Sequence, residues 1–309
     1  MNDQTSILAL YKVIKIENFE HLWRDVERLA HKEGLLGTVF ITSEGVNGTL
    51  SGKKESLDKL LYLIIDKYGL KLDAINWSKS SKPPFKRLKI KKRRNLLPFK
   101  DNLDLFKQRG THVQPKDWND LIQSEDTILI DVRNKYETDI GTFKNSIIPD
   151  TVNFVEFPNF IKGLQKNIKT KKIAMFCTGG IRCEIASSYL IKEGFKEVYQ
   201  LKGGILNYLD EIDKSKQLWK GDCFVFDERV SVDQTLEEGS FIQCFGCRRP
   251  LSIEDTKTKE YIKGVSCAYC YDISTNQDKE RFAQRQKQIE LSEQRGEKHM
   301  GISQRKLNA

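Results

Sequence analysis

Apolar residues in the first ninety positions follow two spacings in turn. Residues 8–16 (LALYKVIKI) are largely apolar and predict a strand. Residues 19–32 carry Leu22, Trp23, Val26, Leu29 and Ala30 at helical spacing. Residues 37–42 predict a second strand. Residues 44–48 (EGVNG) then read as a turn carrying the Asn47-Gly48 hairpin signal, with residues 49–52 continuing as a strand. Residues 57–68 predict a second amphipathic helix, and a basic strand follows near residues 87–91. The order βαββαβ predicts a ferredoxin-like sandwich of antiparallel sheet and two helices over residues 1–94. That fold serves many functions and identifies none.

Residues 95–110 contain Pro98, mixed charge and no sustained period, and read as a linker. From 111 to 215 the pattern is alternating α and β. Buried strands at 127–132 and 172–176 end in Asp131-Val132 and at Cys177, and helices are expected at 115–123 and 184–194. Apolar strands between helices imply a parallel sheet covered on both faces. Residues 216–275 are cysteine-rich and loop-like. Residues 276–309 are rich in Gln, Lys, Glu and Arg and predict a weak exposed helix, fraying near Gly301. The expected chain is thus a multidomain α/β and α+β protein.

The 309 residues carry a formal charge of +9, and its placement matters more than its size. Residues 74–100 hold no Asp or Glu but ten basic residues, among them Lys86, Arg87, Lys89, Lys91, Lys92, Arg93 and Arg94. Without them the rest of the chain would carry −1. One local basic patch with Pro83, Pro84 and Phe85 interleaved attracts a polyanion, and nucleic acid is the expected partner. No run of about eighteen apolar residues predicts a membrane span, and Met1-Asn2-Asp3-Gln4 opens no secretory signal. A cytoplasmic protein is expected, so the seven cysteines read as metal ligands or reactive thiols.

Cys177 ends a buried strand and opens the loop Cys177-Thr178-Gly179-Gly180-Ile181-Arg182, with a helix following. In parallel sheets chemistry gathers at the carboxyl ends of the strands. Two glycines let backbone N–H groups converge on one point, the helix N-terminus adds positive potential, and Arg182 adds a fixed charge. Such a nest lowers a thiol pKa and holds an anion. The Cys-x4-Arg spacing, Asp131-Val132-Arg133 with Glu137, and Gly203-Gly204 together resemble the rhodaneses, whose cysteine carries a persulfide. Phosphatase relatives have a loop one residue longer, which disfavours phosphate chemistry. Catalytic roles are assigned to Cys177, Arg182 and Asp131, with Thr178, Gly179, Gly180 and Ile181 forming the anion loop. Cys183 reads as packed into the first helical turn, with a resolving thiol as the alternative.

A narrower resemblance runs through most of the chain. Glu44-Gly45-Val46-Asn47-Gly48-Thr49, Pro84-Phe85-Lys86-Arg87-Leu88-Lys89, Asp131-Val132-Arg133-Asn134-Lys135-Tyr136-Glu137, Ile140-Gly141-Thr142-Phe143 and the Cys177 loop are similar to segments of the rhodanese-like tRNA uridine hydroxylases, the TrhO family. The resemblance implies oxygen-dependent formation of 5-hydroxyuridine at the wobble position of tRNA, molecular oxygen as co-substrate, and an essential role for Cys177. Composition and spacing by themselves point only to a reactive thiol beside a polyanion-binding module. No flavin or NAD fingerprint is evident, and the four histidines are scattered.

Cys244-x2-Cys247 and Cys267-x2-Cys270 lie nineteen residues apart. Each pair chelates from one turn, and two such turns make a tetrahedral structural zinc site. Gly246 and Gly264 stand where knuckle turns need small residues, and Cys223 reads as core. Two other readings stay open: a persulfide-carrying sulfurtransferase, and a non-catalytic RNA-binding scaffold.

Overall fold

The structure, a computed structural model, describes residues 4–99, 103–164 and 166–296. Lys100, His299, the first three residues and the fraying expected near Gly301 lie outside the described residues.

The N-terminal domain runs β1 (Thr5–Val13), α1 (Phe19–Lys32), β2 (Leu36–Thr42), β3 (Gly45–Gly52), α2 (Lys54–Tyr62), β4 (Ala74–Ser80) and β5 (Leu88–Lys92). Its sheet has the order β4-β1-β3-β2-β5. The first four strands are antiparallel, and β5 adds an edge parallel to β2. The sandwich is as expected, but its fourth strand is β4, and the basic segment is a fifth. Sequence pattern hides β4 because that strand is polar, with Asn76 and Ser78 along one side.

Asn47-Gly48 is no hairpin turn. Gly48 sits in mid-strand opposite Leu10 and Val39, and the chain reverses at Ser43-Glu44 instead. A Cβ on Gly48 would lie 2.4 Å from the Thr38 carbonyl oxygen, so the glycine serves close backbone approach.

On α1, Leu22, Val26 and Ala30 recur at four-residue spacing and bury one stripe against Leu8 and Leu10 of β1. Tyr11 and Val13, further along β1, join the core of the next domain instead. Both sheet faces are therefore used, which is why β1 reads as a nearly continuous apolar run.

The second domain holds β6 (Thr111–Val113), α3 (Pro115–Gln123), β7 (Thr127–Asp131), α4 (Lys135–Thr138), β8 (Gly141–Phe143), α5 (Phe157–Gly163), β9 (Lys172–Phe176), α6 (Ile181–Lys192), β10 (Val198–Leu201) and α7 (Gly204–Glu211). Its central sheet is parallel, in the order β6-β10-β9-β7. Trp118 of α3 and Tyr208 of α7 pack on one face, and Phe157, Ile161 and Ile185 on the other.

Two expected boundaries shift. The 95–110 segment is no free linker, because Leu96 and Leu105 are buried in the second core. Likewise β11 (Trp219–Gly221), β12 (Cys223–Phe224) and β13 (Ser231–Val232) belong to the second domain's packing. Trp219, Cys223, Val225 and Val232 share a core with Phe143 and Phe176. The four-cysteine unit itself starts at β14 (Ile242–Gln243) and β15 (Pro250–Leu251). The last helix, α8 (Asn276–Gln294), is capped by Thr275, whose hydroxyl accepts from the Asp278 N–H. It is tied down by Arg285, which donates to the carbonyls of Phe245 and Gly264 at 2.8 Å each.

Candidate active site

Cys177 stands at the carboxyl end of β9, and α6 starts four residues later. The loop between is held from behind by α7. Ile205 and Leu206 donate their backbone N–H groups to the carbonyls of Cys177 and Thr178, at 3.0 and 3.1 Å. With those carbonyls turned toward α7, the Gly180 N–H points at the sulfur, 3.2 Å from Sγ. Gly204 makes this approach possible: at φ +70 its missing Cβ would lie 2.5 Å from the Cys177 carbonyl oxygen.

Burial alone would raise the Cys177 thiol, but four contacts more than reverse it. The Cys183 side chain, the Arg182 charge and the N–H groups of Cys183 and Gly180 bring its pKa down to about 6. The sulfur is therefore mostly thiolate at neutral pH. Cys183 moves the other way, pushed well above its usual value by burial and by its bond to Cys177. It packs into the first turn of α6 as expected and also touches Cys177.

Arg182 is fixed by a residue the sequence suggested only as part of a signature. Its two terminal nitrogens donate to the carboxylate oxygens of buried Glu137 at 2.6 and 2.8 Å, and Nη2 also reaches Thr178 Oγ1 at 3.3 Å. This forked pair holds the guanidinium in one plane beside the loop.

Asp131 takes a different part from the catalytic one assigned above. Its carboxylate is closed on Arg133, with bonds of 2.9 and 2.7 Å, and accepts from Thr142 at 2.8 Å. Arg133 in turn donates to the Glu137 and Gly141 carbonyls. Asp131 therefore positions the Glu137 segment and does not face the sulfur. Three residues of one signature make a buried ladder behind Arg182.

The loop opens into a cleft of about 510 Å³ between the domains. Cys177, Thr178, Gly179, Ile181 and Arg182 form one wall, and Tyr11, Phe40, Asn47 and Asn76 on the N-terminal sheet form the other. Phe85, Phe154 and Phe226 add rings. The cleft is thus lined mainly by apolar side chains, with a few amides and the Cys177 sulfur at its base.

Pattern reading also missed a buried contact between the two domains. Fully buried Glu184, on α6, receives Tyr11 Oη at 2.9 Å, Arg109 Nη1 at 3.2 Å and Gln200 Nε2 at 3.3 Å, and meets His112 Nε2 at 2.7 Å. Burial opposes its charge, yet His112, Arg109 and Tyr11 hold its pKa below the usual range. Tyr11 looks like one more core aromatic, and no local signal marks its partner 173 residues away.

The seven basic residues of the patch, Lys86, Arg87, Lys89, Lys91, Lys92, Arg93 and Arg94, are all exposed along β5 and its flanks. Lys86 pairs with Glu228 at 3.0 Å and Lys92 with Glu20 at 3.1 Å, while the Arg93 guanidinium lies 4.1 Å from the centre of the Phe40 ring.

Cys244, Cys247, Cys267 and Cys270 converge with all four sulfurs within 4.8 Å of one another. Neighbouring sulfurs are 3.7–3.9 Å apart. A zinc ion with sulfurs at about 2.3 Å needs tetrahedron edges of roughly 3.8 Å, so the four fit that ion. Gly246 approaches the Val265 carbonyl, and Gly264 takes φ +75, as knuckle turns require. No helix among the described residues is long and apolar enough to cross a membrane.

Comparison with known proteins agrees with this division. Residues 5–96 match the UPF0176 acylphosphatase-like domain, and residues 114–211 match the rhodanese-like domain. A solved rhodanese-related protein from Thermoplasma volcanium is 26% identical over 33% of this chain and 92% of its own, with a TM-score of 0.28. A rhodanese-like domain protein from Staphylococcus aureus is 21% identical over 32% of this chain and 90% of its own, with a TM-score of 0.27. A protein of unknown function from Rhodopseudomonas palustris, described as a possible tyrosine phosphatase, is 22% identical over 33% and 80%, with a TM-score of 0.25. An acylphosphatase-like UPF0176 domain followed by a rhodanese-like domain is the architecture of the TrhO/UPF0176 family, and this chain belongs to it.

Proposed function

We propose that this protein hydroxylates C5 of the wobble uridine of tRNA, using molecular oxygen and a thiolate at Cys177. The observation that carries the reading is the position of Cys177 at the base of a cleft whose opposite wall belongs to the basic N-terminal domain. A thiolate adds to C6 of the uracil, forming a C–S bond and leaving electron density at C5. That carbon takes up oxygen. Two electrons and two protons from an external reductant cleave the O–O bond, giving C5–OH and water. Loss of the C5 proton and the thiolate then restores the ring double bond. In this scheme Arg182, held by Glu137, stabilises the thiolate, and the aromatic wall stacks the base.

The rhodanese-like domain favours a second reading, in which Cys177 carries a persulfide and passes sulfur to an acceptor. The Gly180 N–H aimed at Sγ suits either anion.

The test is a nucleoside digest of tRNA from cells lacking the gene, complemented with wild type or Cys177→Ser. Restoration of 5-hydroxyuridine by wild type alone supports hydroxylation. An unchanged nucleoside level after deletion, with no redundant pathway, sinks it and leaves sulfur transfer as the leading activity. Retained hydroxylation by Cys177→Ser rules out the thiolate route.

A further inference from the structure

A second cleft, of about 560 Å³, opens beside the first and shares Thr38, Phe85, Phe226 and Asp227 with it. One wall is the start of β5 and the segment leading into it, with Lys86, Arg87 and Lys89. The other is built by the four-cysteine unit, through Arg248 and Lys263, and by α8, through Arg285. Of these six cations, only Lys86 has a carboxylate within 4.0 Å among the described residues. Three acids also line the cleft: Asp227, closed on Arg229 at 2.7 Å, Glu228, paired with Lys86 at 3.0 Å, and Glu293. Arg285 is loaded further: after burial, the charges of Arg248 and Arg281 lower its pKa. Between the walls lies the Phe245 ring, with Lys86 at 5.8 Å and Arg248 at 5.2 Å from its centre. Arg248 is also held at φ +68, in the left-handed region that side-chain-bearing residues rarely adopt.

We propose that this second cleft is a track for the phosphodiester backbone of RNA, with the four-cysteine unit and α8 as its second wall. The inference rests on the RNA-substrate reading above and deepens it. Five cations with no carboxylate within 4.0 Å among the described residues repel one another in the free protein and gain most from a polyanion. A flat ring between two cations suits a base stacked beside its phosphate. Continuity with the Cys177 cleft distinguishes RNA from an acidic polypeptide: a strand lying in the track places a neighbouring nucleotide over the thiolate. The metal unit, with four protein sulfurs and no open coordination position, then acts as a rigid RNA-facing wall.

The experiment measures tRNA binding by fluorescence anisotropy across a salt series, for wild type and for Arg248→Asn with Lys263→Gln. Asparagine tolerates the positive φ at 248. We expect Kd to rise on the order of ten-fold at low salt, and the slope of log Kd against log salt to flatten by about 1.5, two contacts at about 0.7–0.9 each. Wild-type binding with an unchanged affinity and slope in the double variant overturns the track and leaves the hydroxylase reading standing. Wild type that does not bind tRNA overturns both. A double variant that keeps tRNA but loses polyglutamate assigns the cleft to an acidic polypeptide and also overturns the track. Metal content and melting temperature report on folding. If the double variant loses metal, Lys263→Glu alone is measured against the same outcomes, with a slope change of about 0.7–0.9 or more expected.

Discussion

The phenol of Tyr11, on the first strand of the N-terminal domain, donates a 2.9 Å hydrogen bond to Glu184, on the helix that carries the active loop. The same hydroxyl lies 2.8 Å from where a Cβ on Gly180 would stand. The N-terminal domain therefore braces the Cys177 loop directly. Burial and the Glu184 charge raise the Tyr11 pKa well above its usual value, so the phenol stays protonated and remains a donor. Tyr11→Phe removes one bond to a buried carboxylate and should destabilise the protein by about 1–3 kcal/mol. Urea denaturation checks this, and an unchanged midpoint would show that the remaining donors to Glu184 suffice.

Glu137, fully buried, and Arg182, nearly so, form an ion pair. Removing one charge leaves the other stranded, so Glu137→Gln should cost roughly 3–5 kcal/mol. Arg182→Lys keeps the charge but loses the fork and should also lower activity. Calorimetric melting of Glu137→Gln within a degree of wild type would contradict this account of the pair.

Alkylation of Cys177 by iodoacetamide, followed peptide by peptide, should be half-maximal near pH 6. Cys183→Ala removes a group that lowers this pKa, so its profile should move to higher pH. An identical profile would mean that Cys183 does not support the thiolate. The linkage to stability has a definite sign. The folded pKa lies below that of an unfolded thiol, so this contribution is complete above the unfolded value. It falls away as pH drops toward 6.

Metal analysis should find one zinc per chain, and Cys267→Ser should abolish it. Because binding to a folded site is folding free energy, chelation should lower the melting temperature of the full protein. Failure of the wild type to retain metal through purification in chelator-free buffer would overturn the zinc assignment.

Local chemistry was legible along the chain wherever neighbours in sequence do the work. The amphipathic stripe of α1, the Cys177 loop with its glycines and arginine, and the two Cys-x2-Cys turns each lie within one turn or one strand end, so spacing reveals them. Long-range contacts were not legible, because their partners carry no mutual signal. Gly48 reads as a turn glycine, yet it is there because β2 crowds it. Asp131 reads as a catalytic carboxylate until Arg133 and Thr142 take all of its bonding. Tyr11 finds Glu184 across 173 residues, and Arg248 faces β5 across a cleft that exists only once three domains pack. Side-chain identity and spacing determine which groups can react. Only the packed structure decides which of them meet, which are buried, and which are left facing a substrate.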